Sequence, residues 1–431
     1  MRGAAMPATL ALYRAATTVA QPFTGALLAH RARRGKEDLA RAGERRGLPA
    51  RPRPEGSLVW LHGASVGETV SLLPIVTRLC EKSLNVLVTS VTMTSADVLA
   101  RRLPARALHQ YAPFDTPLFM RRFLDHWRPD LALFAESELW PNAIMEARRR
   151  HLPLALVNAR MSERSLARWR RLPRTIEALA GSFDLCLAQS EIDAERYRFL
   201  GAHAVVTAGN LKYDVPPPPA DQIALASLRG MTAGRPVLLA ASTHADEEAI
   251  LAETHRMLAQ RFPDLLTIIV PRHPERGKEI AATVQAAGLR PAMRSRRLGP
   301  DSACDIYVAD TMGELGLFYR LTPIVFMGKS LVPHGGQNPI EPAKLGAAIL
   351  HGPHVHNFAS VYEALDEAGG AREVSDSRTL AIAFAEMIAD PRRLRDMVRA
   401  AGQAVERLTG AVDRTMRAIE PYLMHFAFEA R

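Results

Sequence analysis

From Ser57 onward, short apolar and β-branched runs alternate with longer amphipathic stretches, the pattern of strand and crossover helix in a parallel sheet. In the first half, runs at 58–62, 86–90, 131–135, 154–158, 185–189 and 205–208 read as strands, with helix-like stretches such as 69–81 between them. Four prolines at 216–219 then interrupt the pattern, because proline continues neither a helix nor an interior strand. After Arg235 the alternation restarts, with strand-like runs at 237–241, 266–271, 306–309, 324–327 and 348–351. The expectation is α/β: a first Rossmann-like domain over 36–215, a linker over 216–235, and a second such domain over 236–431 whose last helix is free to pack back on the first. Ligands of open parallel sheets sit beyond the carboxyl ends of the strands, so two doubly wound domains facing each other across a cleft would place a site there.

The segment before this pattern behaves differently. Leu12, Ala16, Val19, Phe23 and Leu27 recur at helical spacing on one face, with Arg14, Thr17 and Gln21 opposite. Residues 1–55 carry eleven Lys or Arg against four acids, a balance of +7 out of the chain's net +10. An apolar stripe beside such cations suits the headgroup layer of an anionic membrane, where each cation contributes about 1 kcal/mol. Residues 1–35 are therefore expected to be membrane-associated, lying in the interface. A spanning helix, a cleaved signal peptide and the first helix of a soluble domain are the alternatives. Arg14, Gln21 and Pro22 break up the apolar length of about 20 residues that a span needs, and the cations mostly follow the apolar core rather than precede it, unlike a signal peptide.

Composition narrows the function classes. With 48% hydrophobic and 23% charged residues the chain can bury ordinary globular cores. The excess charge sits at one end and aromatic residues are only 6%, too few for base stacking, so nucleic acid is not an expected partner. Cys80, Cys186 and Cys304 are far apart and lack CxxC spacing, which argues against disulfides and metal clusters and for a reducing cytoplasm.

Polar residues that packing does not explain gather just after the predicted strands. The run 58–62 leads into Gly63-Ala-Ser65-Val-Gly67-Glu68, a Gly and Ser turn opening a helix, where Glu68 is either a reactive carboxylate or a first-turn acid complementing the helix dipole. Glu136 and Glu138 follow the run 131–135 beside Trp140, Pro141 and Asn142; solvated surface acids are the plainer alternative. The loop Asn158 to Ser165 is densely polar, and Gly209-Asn210-Leu211-Lys212 closes the first domain with a cation that suits an acidic substrate or a simple surface position. In the second half come Ser242, Thr243 and His244, then Pro271, Arg272 and His273, where a guanidinium suits phosphate. Asp310 reads as a helix cap ahead of Met312, Gly313 and Glu314, either a phosphate-binding N-terminus or a plain capped helix. Gly335 and Gly336 permit close backbone approach, and Asn338, Pro339, Ile340 and Glu341 open a helix whose carboxylate suits ribose hydroxyls.

Taken together, these blocks resemble the signature segments of the Kdo transferases of lipopolysaccharide assembly, over nearly the whole chain and including the apolar, basic N-terminus. The resemblance implies a GT-B-type fold and a metal-independent, cofactor-free, inverting transfer of Kdo from CMP-Kdo to a lipid A precursor, at the cytoplasmic face of the inner membrane. It also implies roles: Glu68 as general base, Glu138 and Lys212 as transition-state stabilisers, and Pro271, Arg272, Met312 to Glu314 and Asn338 to Glu341 as the CMP-binding segments. Ser65, Gly67, Glu136, Ser242, His244, Gly335 and Gly336 are further candidates. Gln337 departs from the family's usual histidine in a GGHNP block, and Gly63 and Ala64 replace larger neighbours. A nucleotide-sugar epimerase of the same fold would need no lipid anchor, and a non-catalytic membrane scaffold would need none of these acids.

Overall fold

The computed structural model describes residues 6–214, 216–297 and 299–429, with side chains to residue 424. Residues 1–5 of the expected membrane segment, Val215 at the close of the expected first domain, and residues 430–431 lie outside the described residues.

The chain forms two compact units, one of residues 1–215 with 409–431 and the other of 216–408. Each is built on a seven-stranded parallel sheet. In the first, β1 (Leu58–His62), β2 (Asn85–Ser90), β3 (Ala107–Tyr111), β4 (Leu131–Ala135), β5 (Leu154–Ala159), β6 (Leu185–Ala188) and β7 (Val205–Thr207) lie in the order β3-β2-β1-β4-β5-β6-β7. β1 is buried at all five positions because helices cover both faces, and so it reads as a continuous apolar run rather than an alternation. Its side chains nevertheless divide: Leu58 and Trp60 join a core with Phe123 and Phe134, whereas Val59 and Leu61 join one with Leu72, Ile75 and Val76. That second core also takes Ala411, Met416 and Ile419 of the last helix, Ala411–Glu429. Asp214 secures this return by accepting from the backbone N–H of Gly410 at 2.7 Å and of Val412 at 2.5 Å. The expected second domain running to the C-terminus thus gives up its last 23 residues, 409–431, to the first unit.

In the second unit β8 (Val237–Thr243), β9 (Leu266–Pro271), β10 (Pro291–Met293), β11 (Ile306–Val308), β12 (Ile324–Met327), β13 (Ala348–His351) and β14 (Ala371–Glu373) are ordered β10-β11-β9-β8-β12-β13-β14. The stretch 216–235, expected as a linker, belongs to this unit and contains a helix, Gln222–Met231, capped by the Asp221 side chain on the N–H of Ala224. Its proline run forms neither helix nor strand. Strand order reverses between β1 and β4 in one sheet and between β8 and β12 in the other, so each unit has a crevice at its switch point.

The N-terminal stripe forms helix Ala8–Ala20, a short turn at Pro22, and helix Thr24–Arg33. Its orientation is the reverse of an ordinary surface helix. Arg14 pairs with Glu146 at 2.7 Å, Tyr13 donates to Asp115 at 3.0 Å, Asn142 donates to Thr17 at 3.0 Å and Thr116 donates to Gln21 at 3.2 Å, so the polar side faces the domain. Leu12, Val19 and Phe23 are 71%, 72% and 70% exposed. Among the described residues, no helix is long and apolar enough to cross a membrane.

Candidate active site

At the β1–β4 switch point of the first unit, Ser65 caps helix Val66–Glu81 by accepting from the N–H of Glu68, while Glu68 reaches back to the N-cap backbone. This reciprocal capping box holds the carboxylate firmly: Oε2 accepts from the N–H of Ala64 at 2.6 Å and of Ser65 at 3.3 Å, and Oε1 from the Ser65 hydroxyl at 2.8 Å. Glu68 is therefore a capping residue as the plainer reading expects, yet remains half-buried beside the crevice. Gly63 lets that turn pack closely, since a Cβ there would lie 3.1 Å from Glu68 Cβ. Gly67 is exposed on the same turn.

Across the switch point, Glu136 and Glu138 leave β4 with different partners. Glu136 adopts a left-handed backbone (φ 51°), and its carbonyl accepts from the buried Tyr197 hydroxyl at 3.0 Å. Its Oε1 lies 2.6 Å from Lys212 Nζ, an ion pair whose angle falls outside hydrogen-bond geometry. Lys212 is presented by a short turn fixed by Asn158, whose Oδ1 accepts from the N–H of Leu211 at 2.9 Å. Glu138 Oε2 accepts from Trp140 Nε1 at 2.5 Å and lies 3.8 Å from His62 Nε2. Burial pushes the Glu138 carboxyl up, but His62 and the Trp140 hydrogen bond outweigh it and hold it below the usual range.

The second unit's loops converge in the same manner. Glu247, which lies in a segment that carries the resemblance but was given no role of its own, is fully buried and accepts from the N–H groups of Lys329, Ser330, Leu331 and His244 at 2.6–3.0 Å. It ties the loop after β12 to the loop after β8, a strand whose end is kinked at Ser242, with a positive φ of 58°. Gly328 permits this closeness, because a Cβ there would meet Thr243 Cα at 2.6 Å. Buried Glu248 accepts from Arg276 at 2.9 Å and from Thr243 at 3.0 Å. His244 lies edge-on to His273 and tilted against His334, with centroids 5.6 and 5.8 Å away. Burial, then the charges of Lys329, the two histidines and Arg272, push His244 down to about 4. Gln337 Nε2 lies 3.4 Å from His244 Nε2, filling the place of the family's histidine with a neutral amide.

Glu341 stands in the first turn of helix Ile340–Lys344, with Asn338 3.5 Å away and buried Pro339 before it. Burial pushes its carboxyl up, opposed by Asn338, Lys344 and Arg272, which places Arg272 in the same electrostatic neighbourhood. Pro271 ends β9 buried and Arg272 is exposed. Gly335 and Gly336, at φ 94° and 75°, allow the loop to pass against His356 and Val355. Asp310 is not the cap expected: it accepts from the N–H and hydroxyl of Ser295, and Glu314 itself occupies the cap position of helix Leu315–Tyr319. Arg294 grips Glu314 at 2.7 and 3.1 Å and holds its carboxyl below the usual range. Met312 is exposed and Gly313 has φ 83°, so this segment offers backbone and an apolar side chain rather than a free carboxylate.

Residues 40–215 match the family model described as 3-deoxy-D-manno-octulosonic-acid transferase (kdotransferase). The chain is 36% identical over 416 residues to a probable mitochondrial 3-deoxy-D-manno-octulosonic acid transferase of Arabidopsis thaliana, covering 93% of each. It is 37% identical over 383 residues to a 3-deoxy-D-manno-octulosonic acid transferase of Bordetella pertussis, covering 86% of this chain and 89% of that one. A solved glycosyltransferase from Rickettsia africae aligns with a TM-score of 0.58 over 86% of this chain and 99% of its own, at 11% identity, a likeness of the two-domain GT-B-type fold alone.

Proposed function

Because this chain belongs to the 3-deoxy-D-manno-octulosonic acid (Kdo) transferase family, we propose that it moves Kdo from CMP-Kdo to a hydroxyl of a lipid A precursor, with inversion and without a metal ion, at the cytoplasmic face of the inner membrane. The observation that carries this reading is the gathering of Glu68, Glu138 and the Glu136–Lys212 pair at one switch-point crevice of a family member.

In this reading Glu68 is the general base. A sugar hydroxyl is a weak nucleophile, and a positioned carboxylate accelerates its attack by roughly 10²- to 10⁴-fold. Oε1 keeps a second acceptor position beside the Ser65 hydroxyl, and the backbone bonds on Oε2 fix its direction. The acceptor oxygen bonds to the anomeric carbon as the bond to the CMP phosphate breaks, the proton passing to Glu68 and the electron pair leaving with phosphate. Glu138 stabilises the oxocarbenium character of the sugar centre, and Lys212 directs its remaining N–H groups at the acidic sugar.

Arg272 supplies charge for the departing phosphate, and Pro271, Met312 to Glu314 and Asn338 to Glu341 receive CMP. The exposed stripe Leu12, Val19, Phe23 and Leu27 lies in the headgroup layer. Incubation of purified protein with CMP-Kdo and a tetraacylated lipid A precursor, followed by mass spectrometry, tests the whole reading and counts the sugars added. An unchanged lipid mass would reject it.

A further inference from the structure

His62 ends β1 with 1% of its surface exposed, wedged edge-on against Trp140 with ring centroids 4.5 Å apart. Its Nδ1 lies 2.9 Å from Thr89 Oγ1. The Trp60 indole N–H, which only donates, also reaches that hydroxyl at 2.9 Å, so Thr89 is an acceptor there and has one proton left to give. The choices for that proton are His62 Nδ1 at 2.9 Å and the Leu61 carbonyl at 3.4 Å. Giving it to Nδ1 makes Nδ1 the acceptor of a neutral imidazole and puts the ring proton on Nε2. If the ring is instead cationic, Nδ1 donates to Thr89 and Thr89 to Leu61, and Nε2 again carries a proton. The remaining form, a neutral ring protonated on Nδ1, would turn a bare Nε2 lone pair toward the Glu138 carboxylate and is disfavoured by that repulsion, so an N–H points from Nε2.

That N–H has no hydrogen-bond partner. Its carboxylate neighbour is Glu138 Oε2 at 3.8 Å, too long for a hydrogen bond and closable by a side-chain movement of about 1 Å. Buried polar groups are nearly always satisfied, so an orphan aimed at a site carboxylate calls for a functional account. Both nearby donors, Trp140 Nε1 and His62 Nε2, address Oε2, and among the described residues none is within hydrogen-bond distance of Oε1.

We propose that His62 is a positioning residue for Glu138: it and Trp140 hold Oε2 from two sides, turning Oε1 toward the sugar centre, and the Nε2–H contact tightens as the donor sugar takes up positive charge. This rests on the stabilising role given to Glu138 above. The neutral, uncharged donor Trp140 fixes the carboxylate in the resting protein, while His62 is reserved for the reacting complex.

The test compares His62→Gln, whose amide N–H can occupy the Nε2 position, with His62→Asn, whose amide reaches only the Nδ1 position, and with His62→Phe. Turnover is measured with CMP-Kdo and a lipid A precursor. His62→Gln is expected to keep kcat within about threefold, whereas His62→Asn and His62→Phe lose about 10- to 100-fold in kcat with the KM for CMP-Kdo changed less than threefold. In a Glu138→Ala background, His62→Phe should cause no further loss. Equal retention, or equal loss, by His62→Gln and His62→Asn overturns the proposal, and that comparison decides even if His62→Phe does not fold. Full turnover by Glu138→Ala would instead defeat the role of Glu138 itself, which separates the two failures.

Discussion

Lys212 Nζ and Glu136 Oε1 meet at 2.6 Å, joining the turn after β7 to the end of β4 across the intervening strands β5 and β6. The lysine is 39% exposed and the glutamate 15%, so the pair lies at the crevice rim with its acid side shielded. Lys212→Met should lower kcat at least tenfold, about 1.4 kcal/mol of barrier. In a double-mutant cycle with Glu136→Gln the two stability changes should be coupled by about 0.5–3 kcal/mol. Additive denaturation midpoints would show that the ion pair does not hold the turn.

Glu68 is both cap and proposed base, and one substitution separates these roles. Glutamine preserves a capping box but cannot take a proton. Glu68→Gln should therefore unfold within a few degrees of the parent and bind CMP-Kdo unchanged in calorimetry, with kcat lower by roughly 10²- to 10⁴-fold. Normal turnover would reject the assigned base.

Glu247 supports the loops after β8 and β12, beside the segments proposed to receive CMP, by satisfying four backbone N–H groups. Glu247→Ala leaves these buried donors without an acceptor, at about 1–3 kcal/mol for each one that water does not reach. The expected result is a loss of at least 3 kcal/mol in urea unfolding, with nucleotide binding weakened as the Gly328 loop moves. A stability change below 1 kcal/mol would mean that the loops are held elsewhere.

Acid should weaken the fold through histidines kept neutral inside it. Burial, reinforced by Arg41 and Arg45, pushes His109 down to about 3, and burial, opposed by Asp305, pushes His255 down to about 4. A lowered histidine pKa means the unfolded chain binds more protons below about 6.5, so stability is full above that pH and falls as pH drops toward the folded values. For His255 the loss by pH 4 is on the order of 3 kcal/mol. His255→Gln should flatten the pH 4 to 6.5 limb of the thermal unfolding profile; an unchanged slope would assign the acid sensitivity to other groups.

The interior of both sheets was readable because buried parallel strands are continuous apolar runs: 58–62, 131–135, 266–271, 324–327 and 348–351 have the bounds their composition predicts. The strands missed, β3, β10 and β14, are all sheet edges. Ala-Leu-His-Gln-Tyr, Pro-Ala-Met and Ala-Arg-Glu are short and mixed because one side needs no partner, which leaves little pattern to detect. The motif-bearing carboxylates were visible as acids following apolar runs, whereas Glu247 and His62 lay in segments that carry the resemblance but drew no role, since their importance comes from groups distant in sequence. Asp310 misled because Asp before a Gly and an apolar run resembles a cap, while its carboxylate is taken by Ser295.

The two faces of the N-terminal helix were legible from periodicity, and the apolar stripe faces outward as an interfacial helix requires, whereas the polar partners that hold the inner face were not legible. Its attachment joins polar bonds to Glu146, Asp115, Asn142 and Thr116 with the burial of Leu10 in the first unit's core, so excising the segment would uncover that core and take Arg14 from Glu146, which would keep only Arg149 and Arg150. Truncation would thus confuse lost lipid affinity with a damaged scaffold. Changing Leu12, Val19, Phe23 and Leu27 to serine removes only the outward surface, at about 1.5–3 kcal/mol for each side chain that lipid would fully bury. Vesicle sedimentation of that variant should fall at least a hundredfold at unchanged melting temperature. The helix is a two-sided adhesive whose inner contacts are shielded from salt while its outer side joins apolar burial to cationic attraction, so high ionic strength should weaken its hold on an anionic membrane without detaching it from the domain.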